Sequence, residues 1–147
     1  MNYRIRKITP NDVDACFEIQ QTSHFHMDLW PKQLWQFLVP LLTDSWVAID
    51  DKDEVVGYVI GMIRYAEEFD NDLAYYWMDT CMKRKVNGAS DALMDFLQEQ
   101  YPFHYAHIHV DNHAVRRWSH NRHGWQTHKT LNRFLQDGSD AHLISYP

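Results

Sequence analysis

The sequence predicts one α+β domain over residues 1–147, built on a mixed central sheet of about seven strands flanked by about four helices. Three observations lead there. Ala89, Ala92, Leu93, Phe96, Leu97 and Tyr101 recur at three- and four-residue steps, the signature of a helix with one buried stripe. The segment EVVGYVIGMIRY and others like it are rich in β-branched and aromatic residues and bounded by turn residues, as strands are. These segments interleave as strand, helix, helix, three strands, helix, strand, helix and two strands, with no internal repeat and no linker.

Taken in order, Tyr3, Ile5 and Ile8 in YRIRKIT mark a first strand, with Arg4 and Arg6 on its other face. Pro10-Asn11-Asp12 starts a helix, because an Asn or Asp side chain caps the free N–H groups, and Val13, Cys16, Phe17 and Ile19-Gln20 continue it. SHFHMD, residues 23–28, breaks the pattern. Pro31 suits the first turn of a second helix through Leu34, Trp35, Leu38, Leu41 and Leu42, which Pro40 should kink or shorten. SWVAID, the turn Asp51-Lys52-Asp53 and EVVGYVIGMIRY make a hairpin, and Glu67, Glu68, Asp70 and Asp72 give an acidic loop. A strand over residues 73–80 leads through Lys83-Arg84-Lys85 and Gly88 into the central helix. YAHIHV, residues 105–110, is a strand, and residues 112–122 form a short helix rich in Arg and His. Two last strands, at residues 130–135 and 141–145, flank the turn Asp137-Gly138.

Composition excludes some classes. A net charge of −6 argues against a general binder of nucleic acid or anionic membrane. The longest apolar run, residues 55–63, is far short of the ~20 residues that span a bilayer. MNYRIRK is charged and has no apolar run behind it, which speaks against a secretory leader. Cys16 and Cys81 lack metal-type spacing and fit reduced thiols, so the expected compartment is the cytoplasm.

A strand, a basic turn and a helix start make an anion site. The first N–H groups of the helix have no internal partner and lie at the positive end of its dipole, and Gly88 carries no Cβ to obstruct a phosphate. The ten histidines raise a different reading. His107 and His109 share a strand face, and His104, His113, His120, His123 and His128 are near in sequence, so a zinc or nickel site is an alternative without fixed ligand spacing.

Four motifs in order resemble the GCN5-related N-acetyltransferase (GNAT) superfamily. WVAIDDKDEVVGYVIG is similar to its second and third strands, with Gly57 after the paired valines. Lys85-Val86-Asn87-Gly88-Ala89-Ser90 resembles its acetyl-CoA loop. Asn112-His113-Ala114 up to Gly124-Trp125 resembles the segment that opens with Asn and closes with a Gly-aromatic pair. RFLQDGSDA resembles the tail of the ribosomal-protein N-terminal alanine acetyltransferases. The departures are Lys85, Ser90, Met82 and Thr80 at positions where the family usually has other residues. In addition, the fourth-helix segment is about one residue longer than usual and lacks the Tyr that serves as general acid.

The resemblance implies an acetyl-CoA-dependent N-acetyltransferase acting on a primary amine, either a peptide N-terminus or a small amine, with room for a homodimer through a sheet edge. It implies that the pantetheine arm pairs with backbone near Met78, Asp79 and Thr80. The pyrophosphate would sit on N–H groups of Val86, Asn87, Gly88, Ala89 and Ser90, with charge from Lys83, Arg84 or Lys85, and Asn112 would complete the cofactor site. It puts His109 where the family has its general base, with Asp79 and the acidic loop as rivals, and leaves Ser119 or His120 as the acid. A protein that binds acyl-CoA without turning it over is the alternative that the missing Tyr suggests.

Overall fold

Strand β1 (Arg4–Lys7) is alternately polar and half-buried and leads into a 3₁₀ turn, Pro10–Asp12. There Asp12 accepts from the Thr9 N–H (2.8 Å) and from both guanidinium nitrogens of Arg6 (2.8 Å each), so the helix start is tied to the strand before it. Helix α1 (Val13–Ser23) follows, then α2 (Lys32–Leu38). Pro40 has no N–H to continue the α pattern, and the chain tightens into a 3₁₀ turn at Val39–Leu41, which shortens the expected helix. The structure, a computed structural model, describes residues 2–24 and 30–147. Most of the expected break at residues 23–28 therefore lies outside the described residues.

Strands β2 (Trp46–Ile49) and β3 (Val55–Ala66) form the expected hairpin, and β4 (Asp72–Met82) extends past both ends of its predicted span. Helix α3 (Ala89–Gln100), strand β5 (His104–His109), helix α4 (His113–Arg117) and strands β6 (Gln126–Leu131) and β7 (Ala141–Tyr146) complete the chain. β6 lies about four residues earlier than the sequence suggested. It is an outer strand, polar or exposed at most positions, so it carries no apolar alternation to read. Residues 132–140, read partly as strand, form the turn before β7.

The sheet runs β1-β2-β3-β4-β5-β7-β6, with β4 and β5 parallel and the other neighbours antiparallel. Alternation along the strands feeds two cores. Tyr58, Ile60, Val47 and Ile49 pack under Val13, Cys16, Ile19 and Trp35 of α1 and α2. Val59, Tyr75, Trp77 and Ala106 pack under Leu93, Met94 and Leu97 of α3, joined by Trp125 and Ile144.

Two features of β4 and β5 shape everything that follows. The strands pair at just three positions, Tyr75 with His104, Tyr76 with Tyr105 and Trp77 with Ala106, and then diverge. At the same level Ile60 faces Asp79 while Gly61 faces Trp77, which leaves Met78 as the extra residue of a β-bulge.

Candidate active site

The divergence of β4 from β5 opens a cleft of about 710 Å³. Its apolar walls include Trp77, Leu93, Met94, Ile108, Trp118 and Trp125, and its polar groups include Gln20, His24, Asp79, Thr80, Ser90, His109, Asn112 and Ser119. No helix among the described residues is long and apolar enough to cross a membrane.

Asp79 is the best-connected of these groups. The bulge at Met78 resets the pleat, so Asp79 lies on the α1 side of the sheet, where its carboxylate accepts from Tyr58 Oη (2.7 Å) and Gln20 Nε2 (3.5 Å) and pairs with His24 Nε2. Gln20 is in turn oriented by Trp35, whose indole N–H donates to Oε1 (3.0 Å). Burial and the Asp79 charge push the Tyr58 hydroxyl far above its usual range, which fixes it as a donor. Burial, then the same charge, pushes the Cys81 thiol up to about 12, so it is unreactive.

His109 lines the cleft, and its Nδ1 accepts from the Asp111 N–H (3.0 Å), so a neutral ring carries its proton on Nε2. His107, two residues earlier on the same face, is held by Tyr76 Oη at Nδ1 (2.7 Å) and stacks on Phe134. Its Nε2 lies 3.1 Å from Glu68 Oε2 but too bent for a well-formed hydrogen bond. Burial lowers the His107 pKa against the pull of that carboxylate.

Of the proposed acids, Ser119 is buried at the cleft wall. Its Oγ donates to the Arg116 carbonyl (3.1 Å) and lies 2.9 Å from His120 Nδ1. His120 is not among the cleft residues, because its Nε2 is bonded to Thr127 Oγ1 (2.8 Å) and its ring lines a separate depression with His113, Arg116, Arg117 and Asn121.

The expected cofactor residues divide in the same way. Met78, Thr80, Ser90 and Asn112 line the cleft. Lys83, Arg84, Lys85, Val86, Asn87 and Gly88 form the connection from β4 to α3 at its edge, and Ala89 is the first residue of α3. Tyr3 Oη donates to the Asn87 carbonyl (2.6 Å) and steadies that connection. Gly88 sits at φ +88° as the N-cap of α3, a left-handed conformation that favours glycine, whereas a Cβ there would meet nothing closer than Tyr3 at 3.6 Å. Backbone conformation is therefore the stronger reason for this glycine. Ala89 is fully buried against Ala48 and Val56, so it packs into the core rather than lining the cleft.

The histidines do not converge. His104, His107, His120, His123 and His128 bond to different protein groups, and among the described residues no three His, Cys, Asp or Glu side chains are grouped to hold a metal ion.

No protein-family model and no curated protein sequence matches the chain. Solved structures do. Ard1 from Thermoplasma volcanium superposes with a TM-score of 0.75 at 17% identity, over 99% of this chain and 97% of that one. The ribosomal-protein-S18-alanine N-acetyltransferase from Escherichia coli gives 0.73 at 13% identity, over 99% and 94%. NAA60 from Arabidopsis thaliana, in complex with a bisubstrate analogue, gives 0.77 at 19% identity, over 99% and 97%. The chain has the GNAT fold. In that fold the residues missed from sequence are Gln20, His24 and Tyr58, while His107, weighed only as a metal ligand, lines the cleft. The signal for Tyr58 was available, since a Tyr inside the buried run VVGYVIG needs a partner for its hydroxyl. Gln20 looked like part of the apolar stripe of α1, and only the fold brings it to β4.

Proposed function

We propose that the protein transfers an acetyl group from acetyl-CoA to a primary amine. The observation that carries this reading is the divergence of β4 from β5 at a β-bulge, directly beside a carboxylate and facing the start of α3. Beyond Trp77 the β5-facing backbone of β4 has no strand partner, so Met78 and Thr80 are placed to pair with the amides of a pantetheine arm. The apolar walls suit that arm. Trp125, one of them, has a buried indole N–H without a partner, a donor that a ligand carbonyl would satisfy. At the edge, the N–H groups of Gly88 and Ser90 at the start of α3 and the exposed Lys83, Arg84 and Lys85 suit the pyrophosphate.

The amine must lose a proton to attack, and the resulting oxyanion needs donors. Asp79 is the group we assign to the amine, both to hold its ammonium form and to receive the proton, with Tyr58 and Gln20 fixing its carboxylate. His109 is the rival. Its Nδ1 lone pair is taken by the Asp111 N–H, so it would serve by holding a water. The acceptor is an amine of a peptide N-terminus or of a small molecule, and the structures that share the fold include a ribosomal-protein-S18-alanine N-acetyltransferase.

A second reading, binding of acyl-CoA with little turnover, is favoured by Ser119, whose hydroxyl is buried and committed to Arg116 rather than presented as an acid for the leaving thiolate. One experiment separates the readings: thermal shift with CoA, followed by thiol release from acetyl-CoA with peptide and polyamine acceptors. At 100 times its Kd, CoA should add about 2.7 kcal/mol of stability. Binding without thiol release selects the second reading, and no shift at millimolar CoA sinks both.

A further inference from the structure

We propose that the outer face of α4 is a binding site for a phosphate group, separate from the cleft. Two independent observations carry it, the geometry of the helix and the balance of charge.

The helix does not end at Arg117 but widens into a π turn, Trp118–Arg122. A π turn takes one more residue than an α turn, and such bulges are concentrated at functional sites. The result is a helix with two working faces. Asn112, Val115 and Ser119 look into the cleft, while His113, Arg116, Arg117, His120 and Asn121 line a depression of about 340 Å³.

That depression is cationic in a molecule whose net charge is −6. Four of the other arginines have partners, since Arg4 pairs with Asp53, Arg6 with Asp12 and Arg122 with Asp91, and Arg64 lies over the Tyr76 ring, whereas Arg84 and Arg133 lie singly in turns. Among the described residues no carboxylate pairs with Arg116 or Arg117. The dipole of a five-residue helix, about half a charge at its C-terminal end, is too small to neutralise two guanidinium groups. Nearby imidazoles register the excess. Burial first, then the charge of Arg116, lowers the pKa of both His120 and His142, and His113 adds to the effect at His142. Arg116, Arg117 and a ring N–H of His113, together with the amide of Asn121, offer donors around one concavity, the arrangement that suits a compact dianion. At about 340 Å³ the depression has room for a phosphate monoester of a small molecule as well as for the free ion.

The test is isothermal titration of the full chain with inorganic phosphate and, in a second arm, O-phosphoserine, in chloride buffer. It uses wild type, Arg116→Gln, Arg117→Gln and, as a control in the exposed turn between β2 and β3, Lys52→Gln, all checked for folding by circular dichroism. Binding should weaken about 10-fold or more in Arg116→Gln or Arg117→Gln, as loss of a guanidinium–phosphate bond does, and stay unchanged in Lys52→Gln. Binding of the ester as well as the free ion assigns the site to a phosphorylated molecule, and binding of the free ion alone assigns it to inorganic phosphate. No binding by wild type, or binding that survives both arginine variants, or binding lost equally in Lys52→Gln, overturns the proposal.

Discussion

His104 offers a measurement of how tightly the sheet closes under α3. Its ring is fully buried, accepting the Trp77 indole N–H at Nδ1 (3.0 Å) and donating from Nε2 to the Tyr101 carbonyl (2.7 Å). Both nitrogens are committed to a neutral tautomer, and burial lowers the pKa from 6.5 to about 4. The folded pKa is depressed below the unfolded one, so the unfolded chain binds a proton first. The stability that neutral His104 supplies is complete above pH 6.5 and is lost as pH falls toward 4. A shift from 6.5 to about 4 corresponds to a loss of about 3 kcal/mol by pH 4, a large share of the 5–15 kcal/mol typical of a domain. The assay is urea unfolding from pH 7.5 to 4 for wild type and His104→Gln. An amide can accept from Trp77 and donate to Tyr101 but does not titrate, and subtraction removes the other histidines and carboxylates. The two stability curves should converge or cross as pH falls. Curves that stay parallel would show that His104 does not change its protonation between the folded and unfolded chain, and the neutral-tautomer argument would be refuted.

Three further outcomes are expected. Asp79→Asn should lower kcat/KM by roughly 10²–10⁴-fold with CoA affinity retained, because a positioned base typically contributes that much; the same loss in His109→Gln, with Asp79→Asn nearly silent, would move the proton to His109. Gly88→Val forces a β-branched residue into φ +88°, at a cost of roughly 1–3 kcal/mol, and should weaken CoA binding in a titration while the far-UV spectrum stays native; unchanged affinity would remove this connection from the cofactor site. Leu97→Ala, at a fully buried position of α3, should cost about 2–5 kcal/mol in urea unfolding, and a loss well under 1 kcal/mol would mean that α3 is not part of the main core.

The fold was legible because its elements follow local rules. The stripe of α3 and the hairpin of β2 and β3 are periodicities of the chain itself, and their cores match the alternation of Tyr58 and Ile60 against Val59. β6 was misplaced because its position is set by pairing with β7 rather than by its own pattern, which is mostly exposed. The candidate site was less legible for a related reason. Asp79 could be singled out, but its partners come from residues 20, 24 and 58, and no spacing in a sequence connects these. His120 shows the opposite case: it lies beside Ser119 in sequence, yet the π turn carries it to the other face of the helix.

The two ends of α3 respond differently to acid, and this orders the loss of structure around the cleft. At its start, Asp91 accepts from Trp118 Nε1 (2.8 Å) and pairs with His123 (2.7 Å) and Arg122 (3.1 Å), which clamps the α4 segment to α3. Burial opposes ionisation of Asp91, but the bonds from His123 and Trp118 and the charge of Arg122 outweigh it, and its pKa is lowered. A depressed carboxylate contributes stability that is complete above its unfolded pKa, near 3.8, and disappears only as pH falls through the lower folded value. At the other end, His104 bonds to the Tyr101 carbonyl, just past the last turn, and its contribution is already falling from pH 6.5. Between these limits the clamp on α4 is intact while the seat under the end of α3 weakens. Acid should therefore loosen the chain first at the closed end of the sheet, where β4 and β5 still pair. The wall that α4 gives the cleft should be lost later, so ligand binding there should outlast the first acid-induced loss of stability.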